Sequence, residues 1–153
     1  MTIWLILHVL GVVLFLGNII TAAFWKLRAE ATRKPEVVHH AVKNVMLADF
    51  VFTIPGLVLV TASGMIMAYE GNLFSSGFNW LMLSVILFGV TGVIWSAVLL
   101  PLQRAMIRLS EDGIHAGELS PAFRQASRRW DYFGIVSTLV PVAVLILMIA
   151  KGF

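Results

Sequence analysis

TIWLILHVLGVVLFLGNIITAAF, residues 2–24, runs for 23 positions without an Asp, Glu, Lys or Arg. About 20 consecutive apolar residues suffice to cross the hydrocarbon core of a bilayer as an α-helix, so the stretch reads as a membrane span. It does not read as a secretory signal. It lacks a basic leading region, it is too long, and Trp25-Lys26-Leu27-Arg28 follows where small residues would be needed for cleavage. Comparable runs recur at about Leu47–Tyr69, Trp80–Leu102 and Tyr132–Ala150. The expected fold is all-α: a four-transmembrane-helix bundle forming one integral membrane domain over residues 1–153.

Composition agrees. The chain is 59% hydrophobic and only 12% charged, with a mean hydropathy of +0.92. Soluble domains run to about 25% charged residues. No polar segment is long enough for a second domain. The absence of cysteine excludes disulfides, thiolate metal sites, iron–sulfur clusters and c-type haem attachment. The net charge of +3 points to lipid orientation rather than nucleic acid. Five basic residues (Lys26, Arg28, Arg33, Lys34, Lys43) lie in segment 25–46 and five (Arg104, Arg108, Arg124, Arg128, Arg129) in segment 103–130, leaving only Lys151 elsewhere. By the positive-inside rule these segments are cytoplasmic and both termini lie outside, as in a multi-pass protein of a bacterial inner membrane. Trp4, Tyr69 and Trp80 fit an outer aromatic belt, and Trp25, Trp130 and Tyr132 an inner one.

The cytoplasmic connections read as helical. After Pro35, Val37, Val38, Ala41, Val42, Val45 and Met46 recur at helical spacing and lead into the second span. Arg104–Ser110 extends the third span, with Asp112-Gly113 expected to end it. Ser120-Pro121 suits an N-cap and first-turn pair opening a helix into the fourth. His39 and His40 are adjacent, so their side chains diverge by about 100° on a helix; a solvated or headgroup-facing pair is expected.

In lipid, small and polar residues mark the inward face of a helix, because acyl chains accept apolar side chains without cost. His8, Gly11, Phe15, Asn18, Ala22 and Trp25 form one stripe, and Asp49, Thr53, Gly56, Val60, Ser63 and Met67 another. The fourth span offers Asp131, Thr138, Pro141, Leu145 and Met148; the third offers Ser84, Thr91 and Trp95, with Gly92 and Ser96 as a close-contact surface. By helix rise His8 lies about 9 Å below the outer surface, near Ser63, Met67, Leu145 and Met148. A deeper polar layer comprises Asn18, Thr21, Asp49, Thr53, Trp95, Gln103 and Asp131. Asp49 and Asp131 are expected to pair with Arg128, Arg129 or Lys26.

His8 is the only one of four histidines inside a span, and ionisable or metal-ligating residues at such depth mark functional sites. An inward histidine beside a small residue, here Gly11, suits axial ligation of haem b. The other histidines are too far away to share one iron, leaving Met67 or Met148, an open position or a neighbouring subunit for the sixth site. His8 with methionine suits copper as well, since thioethers favour Cu(I), so handling of copper or a small solute without haem is the alternative expectation. A third possibility is a cofactor-free His8 that only hydrogen-bonds a facing serine or carbonyl, in an accessory or structural subunit. No nucleotide, protease or acyl-transfer motif is present, so any enzymatic activity would be cofactor-borne, as in a haem-dependent membrane oxidoreductase.

The stretches HVLGVVLFLGNIITAAFWKLRAE (8–30), ADFVFTIPGLVLVTASG (48–64), LPLQ (100–103) and FRQASRRWDYFGIVSTLVPVAVLILM (123–148) resemble a bacterial family of small predicted integral membrane proteins of unknown function. More distantly, the His8–Gly17 segment is similar to the first helix of CopD-like copper-resistance proteins and HemJ-type protoporphyrinogen oxidases. That resemblance implies that His8 corresponds to their first-helix histidine. The leading expectation is a haem b protein with His8 as metal ligand. Gly11 would give the macrocycle room, and Asn18 and Trp95 would belong to its supporting polar layer. Its partners would be the lipid bilayer, a quinone, porphyrin or other redox partner, or a second copy of the chain in a homo-oligomer.

Overall fold

The computed structural model describes residues 2–76 and 79–150. Four helices long and apolar enough to cross a membrane account for nearly all of it: α1 (Thr2–Ala31), α2 (Pro35–Glu70), α3 (Trp80–Ala116) and α4 (Pro121–Ala150). The described fold is thus all-helical, as the four apolar runs require. We call the end bearing residues 2, 70, 80 and 150 the terminal half, and the end bearing the basic connections the basic half.

The connections extend the spans as anticipated. Pro35 opens α2 in its first turn, and the Ser120 hydroxyl accepts the Phe123 N–H at 3.1 Å to cap α4. One boundary differs. Helix α3 passes through Asp112-Gly113 and stops at Ala116, where Gly117 takes a left-handed φ of 79°. Gly113 serves packing instead, since a Cβ there would come within 3.0 Å of the Glu118 carbonyl oxygen.

Two features of α2 and α3 are not evident from periodicity. Each contains one π-helical turn, at Asp49–Thr53 and Trp95–Leu99, closed by Ile54 N–H to Asp49 O and Leu100 N–H to Trp95 O. A proline follows two residues after each turn, Pro55 and Pro101. Proline lacks an N–H and its ring crowds the preceding turn; a widened turn accommodates both. Such bulges are frequent at functional sites.

The halves are packed differently. In the basic half, apolar faces of all four helices meet in one cluster that includes Val38, Val42, Met106, Phe123 and Trp130. Burying a side chain of this size from water contributes about 1.5–3 kcal/mol. In the terminal half, α1 packs on α2 and α3 packs on α4, with no comparable contact between the two pairs among the described residues. The α1–α2 seam is tight at Gly11 and Gly56: a Cβ on either would come within 2.9 Å of the other's carbonyl oxygen. Gly11 therefore serves helix approach and is not a recess for a ligand. Gly92, expected as a contact surface, has no atom within 4 Å of its Cβ position, and Ser96 is exposed.

Candidate functional site

The separation of the helix pairs leaves a cavity of about 620 Å³ in the terminal half, whose wall includes His8, Gly64, Met65, Ser84, Pro141 and Met148. His8 is buried on α1. Its Nδ1 lies 3.0 Å from the Val60 carbonyl oxygen and 3.2 Å from Ser63 Oγ. The tautomer follows from these partners. A carbonyl oxygen only accepts, and the Ser63 hydroxyl donates to the Leu59 carbonyl, so Nδ1 carries the proton. Nε2 keeps its lone pair. Gly64 makes room for the ring, since a Cβ there would stand 3.0 Å from His8 Cε1 and 3.3 Å from Nδ1. Met148 lines the cavity, as its stripe implied. Met67 does not; Met65, two residues earlier, takes that place.

The basic half holds a polar layer centred on Asp49, buried at the start of the α2 π-turn. Its Oδ1 accepts from Asn18 Nδ2 at 3.0 Å and Thr53 Oγ1 at 2.8 Å. Its Oδ2 accepts from Gln103 Nε2 at 2.7 Å and, more distantly, from Trp95 Nε1 at 3.5 Å. The expected ion pair for Asp49 is corrected: neutral donors surround it, and Arg128 and Arg129 face outward. Asn18 and Trp95 thus belong to the Asp49 layer and do not line the His8 cavity. Thr21, placed in the same layer from sequence, bonds back to the carbonyls of Gly17 and Asn18 on its own helix.

Lys26, one of the cations expected to pair with Asp131, does so and is 1% exposed. Its Nζ lies 2.6 Å from Asp131 Oδ1, 3.1 Å from Glu30 Oε1 and 2.6 Å from Ser127 Oγ, and 5.1 Å from the centroid of the Trp130 ring. The α1 stripe turns from Ala22 to Lys26 and Ala29, because a 3.6-residue period drifts off a strict 3-4 alternation. Trp25 faces outward. Trp130, expected in the inner aromatic belt, is buried instead, and on α4 Ser137 and Val144 are buried beside the half-buried Thr138 and Leu145, of which Leu145 lines the His8 cavity as expected. Of the expected histidine pair, His39 bonds Ser110 Oγ at 2.9 Å on α3 while His40 is exposed. No group of three or more His, Cys, Asp or Glu side chains able to hold a metal occurs among the described residues.

A family profile described as predicted integral membrane protein (DUF2269) matches residues 2–152. The chain belongs to that family. The match covers all four helices of this DUF2269 member, so its membrane character is a property of the whole chain. Neither the curated proteins nor the solved structures contain a match.

Proposed function

We propose that the terminal-half cavity of this membrane protein binds haem b, with His8 Nε2 as an axial ligand to the iron. The observation that carries the reading is the commitment of Nδ1–H to the Val60 carbonyl. A metal-bound histidine characteristically donates its other ring N–H to such an acceptor, which fixes tautomer and orientation. The cavity, at about 620 Å³, lies within the range of ligand and cofactor pockets, about 300–1,000 Å³. Met148 and Met65 supply thioethers on the same wall, a ligand type that completes haem coordination in some cytochromes. The likeness of His8–Gly17 to CopD-like and HemJ-type first helices points the same way.

When bound, haem would supply one-electron transfer, making the protein a membrane redox component in exchange with a quinone, a porphyrin or another redox partner. The chain's own residues anchor and enclose. Val60 and Ser63 hold the imidazole, Gly64 makes room for it, and apolar side chains keep water away. No lysine or arginine lines the cavity, so affinity would come from the iron–imidazole bond and apolar contact. The distribution of basic residues supports an inner-membrane topology with the basic half cytoplasmic and both termini outside.

Titration of the purified protein with haemin tests this. Saturation at one haem per chain, abolished by His8→Ala and preserved in Met67→Leu, is the expected result; titration indifferent to His8→Ala overturns it. Copper is the second reading, favoured by the two thioethers on the wall of the His8 cavity. It predicts stoichiometric copper in the purified protein, reduced in Met65→Leu and Met148→Leu.

A further inference from the structure

A groove of about 610 Å³ runs along the seam of α1 and α2 in the basic half. Six of its thirteen lining residues carry polar or charged side chains: Thr32, Arg28, His40, Asn44, Thr21 and Asn18, following the two helices from their connecting turn into the spans. Around the His8 cavity only His8, Thr61 and Ser84 do so among twenty-three. Acyl chains offer polar groups no partner, which is costly. Water supplies both donors and acceptors, and the groove has the volume of about 20 water molecules at about 30 Å³ each.

Asn18 forms the deep end. Its Nδ2 donates inward to Asp49 Oδ1 at 3.0 Å and Thr53 Oγ1 at 2.9 Å, which spends both amide hydrogens and leaves Oδ1 without a hydrogen bond. Asn18 is 9% exposed. The closed-off side-chain atoms without a partner among the described residues are Gln103 Oε1, Trp130 Nε1 and Ser137 Oγ; Asn18 Oδ1 is not one of them, so it meets open space. The amide therefore has one edge free and the other on Asp49.

Asp49 is 6% exposed, and every side chain it bonds is neutral: Asn18 on α1, Thr53 on α2, Trp95 and Gln103 on α3. Lys26 of α1 is held by Asp131 of α4, and Asp131 shares with Asp49 only the wall of a separate cavity. Arg28 and His40, the ionisable groups of the groove, are exposed. A carboxylate inside a span, beside a polar recess and without a cation, is the arrangement of proton relays. A proton from a groove water would convert the Asp49 carboxylate to the acid. The Thr53 hydroxyl, 2.8 Å from Oδ1, can turn from donor to acceptor and receive the new O–H. We infer that the α1–α2 groove is a water-filled entry from the basic face, ending at Asn18, through which Asp49 gains and loses a proton. The inference does not rest on the haem reading, since it concerns other residues in the other half.

The chain has no cysteine, so single cysteines report on the groove directly. In the full chain in nanodiscs, a charged, water-soluble thiol reagent should modify Thr21→Cys and Ala48→Cys about tenfold faster than Leu47→Cys, since Ala48 lines the groove and its neighbour Leu47 faces outward. Infrared difference spectra between about pH 4 and pH 9 should show a carboxylic-acid band that is missing in Asp49→Asn. The deuterium shift of that band should develop about tenfold more slowly once Ala48→Cys is modified. His8→Ala should change neither result, which separates failure here from failure of the haem reading. Equal modification rates at Ala48→Cys and Leu47→Cys overturn the proposal in favour of a lipid-filled groove. The lack of an Asp49-dependent band, or a deuterium shift indifferent to modification of Ala48→Cys, overturns it in favour of a purely structural carboxylate.

Discussion

The two halves of the bundle use the same four helices to opposite ends. In the basic half, apolar faces close into a core and Lys26, Asp49 and their partners cross-brace the helices. In the terminal half, the helices stay in two pairs and leave an open space with one histidine on its wall. The difference shows how a small membrane protein can hold a cavity open. Stability is concentrated where hydrogen bonds and ion pairs tie all helices together, so the other end need not collapse.

If that division is right, the most severe substitution should fall in the basic half. Lys26→Met removes the cation facing Asp131 and Glu30 and leaves two half-buried carboxylates without their charge-assisted hydrogen bonds, a loss of about 2–3 kcal/mol. Thermal unfolding in detergent should show it, and adding Asp131→Asn should recover part of it; a single variant as stable as wild type would contradict the bracing role. Next in size is the α1–α2 seam. Gly11→Ala forces a methyl against the Gly56 carbonyl and should cost about 1–3 kcal/mol. Gly92→Ala, with open space around it, should stay within about 0.5 kcal/mol. Equal losses at both positions would mean that the seam is not the tight contact described.

Smaller stability effects belong to the terminal half. His8→Ala forfeits hydrogen bonds worth about 1 kcal/mol each, and should leave the apoprotein folded while abolishing haemin binding. Gly64→Ala should barely change unfolding yet weaken haemin binding, because the new methyl displaces the imidazole. Unchanged haemin affinity in Gly64→Ala would show that ring placement does not matter.

Much of this architecture is legible in the chain. Runs free of charge for some 20 residues leave little choice but to span, and the stripe from His8 through Asn18 to Ala22 is on the buried face of α1 because small and polar residues cluster where helices meet. What escaped reading has physical causes. The Lys26–Asp131 pair is among those the charges offered, but the burial of Lys26 against Ser127 and Trp130 is not, since only the fold brings that face of α4 alongside it. The α4 stripe is wider than read, with Ser137 buried more deeply than its neighbour Thr138, since both are small hydroxyl residues and spacing alone does not choose between them. Gly11 looked like space for a ligand, yet the glycine that accommodates the histidine is Gly64, on another helix. The π-turns at Asp49 and Trp95 leave no periodic trace; a proline soon after each is the only mark.

The central claim is that His8 offers Nε2 to an iron in the terminal-half cavity. The most direct measurement is the reduced-minus-oxidised absorption spectrum of the protein purified from haem-replete cells, beside that of His8→Ala. A b-type Soret and α-band at about one haem per chain, absent from the variant although it folds, is the expected result. A colourless wild-type protein that also fails to take up added haemin, or a spectrum unaltered by His8→Ala, would contradict it.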